Sequence, residues 1–150
     1  RFYFTYIFSN DSLILKFGEK TFFDIYIKKS IKTFISLRFE GIVNQYFVRQ
    51  AHNGKLNNIL DFGCFWYDDA KLAKNVQFDC VLKTEQGYNF YEVKYFDNPM
   101  TLSECEEEEN QIKQMKEIAC NKVGFVCSSG FSFSSPKYDL ISGEELYRGK

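Results

Sequence analysis

Phe78-Asp79-Cys80-Val81-Leu82-Lys83-Thr84-Glu85-Gln86-Gly87-Tyr88-Asn89-Phe90-Tyr91-Glu92-Val93-Lys94-Tyr95 is the stretch on which the fold turns. Two runs rich in β-branched and aromatic residues flank Thr84-Glu85-Gln86-Gly87, the pattern of a hairpin around its turn. A two-residue loop at Glu85-Gln86 and a four-residue loop over 84–87 give the same register, and either one sets Asp79 opposite Glu92. Side chains directly opposed on an antiparallel pair have Cβ atoms roughly 4.5–5.5 Å apart. Lys94, two residues beyond Glu92, points to the same face. A three-residue loop would set Asp79 opposite Val93 instead and break the cluster.

Like charges placed directly opposite one another are destabilising. A divalent cation between them removes that cost, and Lys94 alone removes part of it. The same face carries Val81, Tyr88, Phe90 and Phe96, so the acids are expected to be partly desolvated, the setting in which carboxylate pairs hold Mg²⁺. The other face carries Phe78, Cys80, Leu82, Tyr91, Val93 and Tyr95. A hairpin apolar on both faces belongs in the middle of a layered α/β domain.

The flanking segments fit such a layer. Apolar residues at Ile35, Phe39, Ile42, Val43, Tyr46 and Phe47 have helical spacing, and they predict an amphipathic helix from about Ile31 to Gln50 that stops at Asn53-Gly54. Glu40 sits at the edge of its apolar face, either exposed at the rim or reaching toward the hairpin as a further acid. Ile59 to Tyr67 reads as a strand with Gly63 as a bulge or close contact, and 68–75 as a polar connection. A second helix is predicted over Thr101 to Asn121, with Ser103-Glu104-Cys105-Glu106 or Thr101 to Glu104 as its capping box. The acidic run Glu106 to Glu109 is ascribed to the helix dipole. Gln111 and Gln114 lie along this helix as possible accessories to the cluster. Val123 to Cys127 is the expected return strand, Tyr138 to Ile141 an edge strand and Gly143 to Tyr147 a terminal helical turn. Upstream, residues 1–9 are almost wholly apolar and fit either a strand or a short buried helix. Residues 22–29 look helical, with Lys28, Lys29 and Lys32 on a solvated face.

The chain has 150 residues and a net charge of −1, which suits one domain and argues against a strongly basic DNA-binding module. Aromatic content is high, at 19%, so bulky cores and some exposed rings are expected. Five cysteines without a CxxC pattern read as reduced buried thiols of a cytoplasmic protein, with no disulfides. With His52 the only histidine, catalysis by paired histidines is excluded. No signal peptide is visible and no apolar run reaches membrane-spanning length. The start at Arg1, inside an aromatic run, reads as a fragment of a longer chain.

The order of a helix with Glu40, a strand, a hairpin with Asp79 and Glu92-Val93-Lys94, a helix and a strand resembles the PD-(D/E)XK nuclease-like superfamily. Phe39-Glu40, Phe65-Trp66-Tyr67, Phe78-Asp79 and Tyr91 to Lys94, with the N-terminal segment through Leu13-Ile14, further resemble the DUF234-type domain at the C-terminal end of archaeal and bacterial AAA-type ATPases. The resemblance implies a restriction-endonuclease-like three-layer α/β core, a central mixed sheet with flanking helices in the order α-β-β-β-α-β. It implies an N-terminal connecting segment, 1–30, packed on a nuclease-like domain, 31–150, and an ATPase module upstream in the same longer chain. It also implies that Asp79, Glu92 and the Val93 carbonyl bind Mg²⁺ or Mn²⁺, that Lys94 orients the attacking water, and that Glu40 binds a second metal or tunes the first. Phe78 stands where the family often has Pro, and the Gln-x-x-x-Tyr motif of RecB-like nucleases is absent. Two functions follow: a Mg²⁺-dependent DNA phosphodiesterase, or a catalytically silent nuclease-like module that regulates its ATPase. The third reading is a purely structural ion-pair cluster.

Overall fold

The computed structural model describes residues 1–56, 58–69, 74–115 and 118–148. The chain forms two compact units, Arg1–Arg38 and Phe39–Lys150.

The first unit is helical. A wide π-helical turn at Tyr3–Ile7 is followed by helices α1 (Asp11–Phe17) and α2 (Glu19–Phe22) and a second π-helical turn at Phe23–Ile27. Tyr6, Phe22 and Ile27 make a small core with Leu13, Ile14, Ile31 and Phe34 around them. The apolar run at the start is therefore helical but not buried. Tyr6 faces the core, whereas Phe4 and Phe8 are 70% and 59% exposed.

Helix α3 (Ile31–His52) carries the chain from the first unit into the second. Phe39, Val43, Phe47 and Gln50 recur at helical spacing on its buried face. Arg49 sits in its last turn, where a cation suits the dipole. Gly54, at φ 69°, takes the left-handed conformation that ends the helix, with the Lys55 N–H returning to the Gln50 carbonyl at 2.9 Å.

The second unit is built on a five-stranded mixed sheet in the order β1 (Ile59–Asp69), β2 (Lys74–Thr84), β3 (Gly87–Lys94), β4 (Cys120–Cys127) and β5 (Asp139–Ser142). β1, β2 and β3 pair antiparallel, and β3, β4 and β5 pair parallel. Helix α4 (Leu102–Lys113) makes the β3-to-β4 crossover, and α5 (Gly143–Arg148) follows β5. On one face Phe39, Val43 and Phe47 of α3 and Leu146 of α5 pack on Cys80, Leu82, Tyr91, Val93, Val126 and Ile141. On the other, Ile112 and Met115 pack on Phe78, Val81 and Phe90, beside a cluster of Met100, Cys105, Phe125, Cys127 and Tyr138. The result is a three-layer α/β core.

The hairpin register is the expected one. Thr84 pairs with Gly87 around a two-residue loop, and pairing continues to Cys80 and Tyr91. Thr84 Oγ1 donates to the Gly87 carbonyl at 2.9 Å and accepts from the Gln86 N–H at 3.2 Å, closing the turn from within. Gly87 holds φ 141° with its Cα against the Ala119 carbonyl, so a side chain there meets both strain and backbone.

Four features differ from expectation. Phe78 packs with Val81 and Phe90 rather than with Cys80. The cause is a bulge: Gly63 pairs with Val81 but Phe65 with Phe78, so β2 carries one extra residue, at Asp79-Cys80, opposite Cys64. The 68–75 connection is shorter than expected, because β1 runs to Asp69 and β2 starts at Lys74, while 70–73 lie outside the described residues. Helix α4 stops at Lys113, because β4 begins at Cys120, where it pairs with Tyr88 and gives β3 a partner along its whole length. All five cysteines are free, and Cys64 and Cys120 are exposed rather than buried. Among the described residues no helix is long and apolar enough to cross a membrane.

Gly124 lets β4 pass beneath Tyr91. A Cβ there would run into the Tyr91 ring and the Asp139 carbonyl, and that ring is fixed by its hydroxyl donating to Asp139 Oδ2 at 2.7 Å. Gly124→Ala is expected to destabilise the unit by about 1–3 kcal/mol, as overpacking does, seen as a lower midpoint in urea.

Candidate functional site

The β2 bulge and the end of the hairpin ladder coincide, and that coincidence makes the site. Regular β2–β3 pairing stops at Cys80 and Tyr91, one residue short of Asp79 and Glu92. The Val93 N–H still needs an acceptor, and Asp79 Oδ2 supplies it at 3.3 Å. Asp79 thus replaces a ladder acceptor with its carboxylate, and its backbone carbonyl takes the Cys64 thiol at 3.4 Å. Asp79 and Glu92 are not an ordinary opposed pair: the carboxylate of Asp79 turns in against the backbone just beyond Glu92.

Lys94 joins the acids. Its Nζ lies 2.8 Å from Glu92 Oε1 and 2.7 Å from Glu108 Oε1, with side-chain exposures of 24%, 12% and 25% for Lys94, Glu92 and Glu108. Burial pushes the Glu92 carboxyl up to about 7, against the pull of Lys94, with Asp79 and Glu108 adding to the rise. Burial also raises Asp79, opposed by the Val93 N–H and Lys94. Burial alone would lower Lys94, but Glu92 and Glu108 outweigh it and hold the ammonium charged. Glu40 on α3 is raised by burial and then by the charge of Asp79, which places it within electrostatic reach of the cluster.

The structure therefore brings Asp79, Glu92, Val93 and Lys94 together, with Glu40 nearby. Gln111 meets the cluster through Glu108: its Nε2 donates to Glu108 Oε2 at 2.9 Å. Gln114 is exposed at the end of α4, its N–H on the Gln111 carbonyl at 3.3 Å. Glu108 is the residue that sequence reasoning missed. The capping box is Thr101 with Glu104, so Glu104 is the acid of the first turn. Dipole stabilisation fades beyond that turn, and Glu106 to Glu109 lie past it. Buried Cys105 and Ile112 bracket Glu108 at i+3 and i−4, the spacing that sets it on the flank of the stripe facing the sheet.

Glu109 has a structural task. It is buried and gathers Lys113, Lys137 and the Tyr138 hydroxyl on Oε2. Burial works to raise it, but these donors prevail and hold its carboxyl below the ordinary value of 4.5. Its stabilising effect is present above the unfolded value and is lost as pH falls through the folded one. Wild type is therefore expected to lose stability below about pH 4.5 more steeply than Glu109→Gln. At neutral pH the substitution costs about 1–3 kcal/mol for the weakened buried bonds, read by urea denaturation.

The carboxylates of Asp79 and Glu92 are hard oxygen donors, and a cation of Mg²⁺ type keeps several waters and binds through one or two carboxylates together with substrate phosphates. They do not make a closed protein cage: among the described residues no group of three or more His, Cys, Asp or Glu could hold a metal ion.

Fold and site define a three-layer α/β domain with a carboxylate–lysine cluster where its central hairpin frays. The chain belongs to the DUF234 family, described as "Archaea bacterial proteins of unknown function", whose model matches residues 3–118. Asp79, Glu92, Lys94, Glu108 and Glu40 all lie within that match. No curated protein matches the chain, and no solved structure does.

Proposed function

We propose that Phe39–Lys150 is a nuclease-like domain that hydrolyses DNA phosphodiesters with Mg²⁺ or Mn²⁺ held by Asp79 and Glu92, and that it serves an ATPase module of the same longer chain. The observation that carries this reading is the junction of the β2 bulge with the end of the hairpin ladder, where Asp79, Glu92 and Lys94 meet. A hard cation supplies charge that polarises a phosphate and acidifies a water. The partly buried acids Asp79 and Glu92 provide oxygen ligands whose negative charge is poorly solvated by the protein alone. The Lys94 ammonium orients the attacking water and offsets the charge that develops on the phosphate. Glu40 adds negative charge from the opposite layer and tunes the site.

The reading is tested by incubating the chain with single- and double-stranded DNA in Mg²⁺ or Mn²⁺. Cleavage is expected from wild type, with losses of at least about a hundredfold in Asp79→Ala, Glu92→Ala and Lys94→Ala, the scale on which removing one group that stabilises transition-state charge acts. Absence of cleavage with any metal would leave the domain a silent regulatory module of its ATPase. One observation favours that second reading: Lys94 is already held between two carboxylates.

A further inference from the structure

The Lys94 ammonium has three N–H donors, and two of them point at different elements. One goes to Glu92, on its own strand, and one to Glu108, on α4. Glu92 is also a proposed cation ligand, so Lys94 and a cation compete for the same carboxylate. Glu108 is set apart from that competition. It faces the sheet from the helix, and its second oxygen is held by the Gln111 amide at 2.9 Å, which fixes the direction of its carboxylate.

We propose that Glu108 is a positioning residue, the alternative partner that takes Lys94 when Glu92 turns to a cation. This rests on the cation-site reading above. Without Glu108 the lysine would have Glu92 as its remaining counter-ion, and a cation would have to displace it outright. With Glu108 in place Lys94 keeps a charged partner at 2.7 Å throughout, stays beside the site and leaves Glu92 open. Glu108 therefore acts on the cation through Lys94, not by adding to its ligands.

A double-mutant cycle on the full chain, read by calorimetric Mn²⁺ binding, tests this. Glu108→Gln is expected to weaken Mn²⁺ binding about tenfold, the scale on which one charge-assisted hydrogen bond acts. In a Lys94→Met background the same substitution should change it by less than about threefold, since the competing ammonium is gone. Glu108→Asp should recover part of the loss. Circular dichroism of each variant establishes that it is folded, and the rate of Lys94 reductive methylation, followed by mass spectrometry, gives a readout independent of metal. That rate should rise in Glu108→Gln if the carboxylate holds the amine. Equal weakening in both backgrounds would show simple through-space charge and overturn the proposal. Unchanged binding in Glu108→Gln overturns it as well, while leaving the cation site intact. Absence of Mn²⁺ binding by the wild-type chain overturns the cation site, and the role of Glu108 with it.

Discussion

Phe90→Ala is expected to cost about 3–5 kcal/mol, the range for emptying a buried aromatic site. Phe90 is fully buried on the central strand. Its ring meets Phe78 edge-on at a centroid distance of 4.9 Å and Phe65 at 5.8 Å, and it shares a cluster with Val81, Ile112 and Met115. The cavity would open between the sheet and α4. That helix carries Glu108, so the loss should reach the site as well as the core, with Mn²⁺ binding weakened alongside stability. A domain stabilised by roughly 5–15 kcal/mol would lose a large share of its margin. Urea denaturation of Phe90→Ala measures the effect, and Trp66→Ala is the control. Trp66 is 70% exposed on β1, and its loss should stay within about 0.5 kcal/mol.

Lys94→Met should lower both stability and activity. It leaves Glu92 and Glu108, only 12% and 25% exposed, facing each other and Asp79 without a cation. Removing one partner of a buried ion pair costs about 3–5 kcal/mol. Partial exposure of this cluster brings the expected loss to about 2–3 kcal/mol. DNA cleavage should fall with it. Mn²⁺ should then stabilise the variant more than the wild type, since a ligand that binds only the folded state adds about 2.7 kcal/mol at a hundred times its Kd. Thermal melting with and without Mn²⁺ reads both effects. A variant that melts with wild type and ignores Mn²⁺ would mean that Lys94 lies outside any cation site.

How much of this was legible in the sequence depended on how local each determinant was. The observed β2–β3 register was one of the two that the turn and its arms allowed, and Thr84 and Gly87 select it by closing a two-residue loop by themselves. Helix α3 was equally clear, since its apolar spacing and Gly54 stop lie within one segment. The bulge at Asp79-Cys80 was not, because it arises from pairing with β1, and Gly63 was its sole local trace. It is this bulge, rather than simple opposition across a ladder, that turns Asp79 toward the Val93 N–H. Glu108 was hidden by a competing explanation for an acidic run and by two overlapping capping boxes. Once Thr101 is taken as the cap, the spacing from Cys105 to Ile112 gives its direction. The end of α4 was misplaced because strand pairing with Tyr88, a tertiary demand, claims Cys120.

The proposed function requires that the frayed end of the hairpin hold one divalent cation between Asp79 and Glu92. Anomalous X-ray diffraction from crystals of the chain grown with Mn²⁺ tests it most directly. The expected result is a single anomalous peak in coordination contact with both the Asp79 and Glu92 carboxylates, with Lys94 shifted onto Glu108. A peak elsewhere, or none at the hairpin with the Lys94–Glu92 pair intact, would contradict the claim.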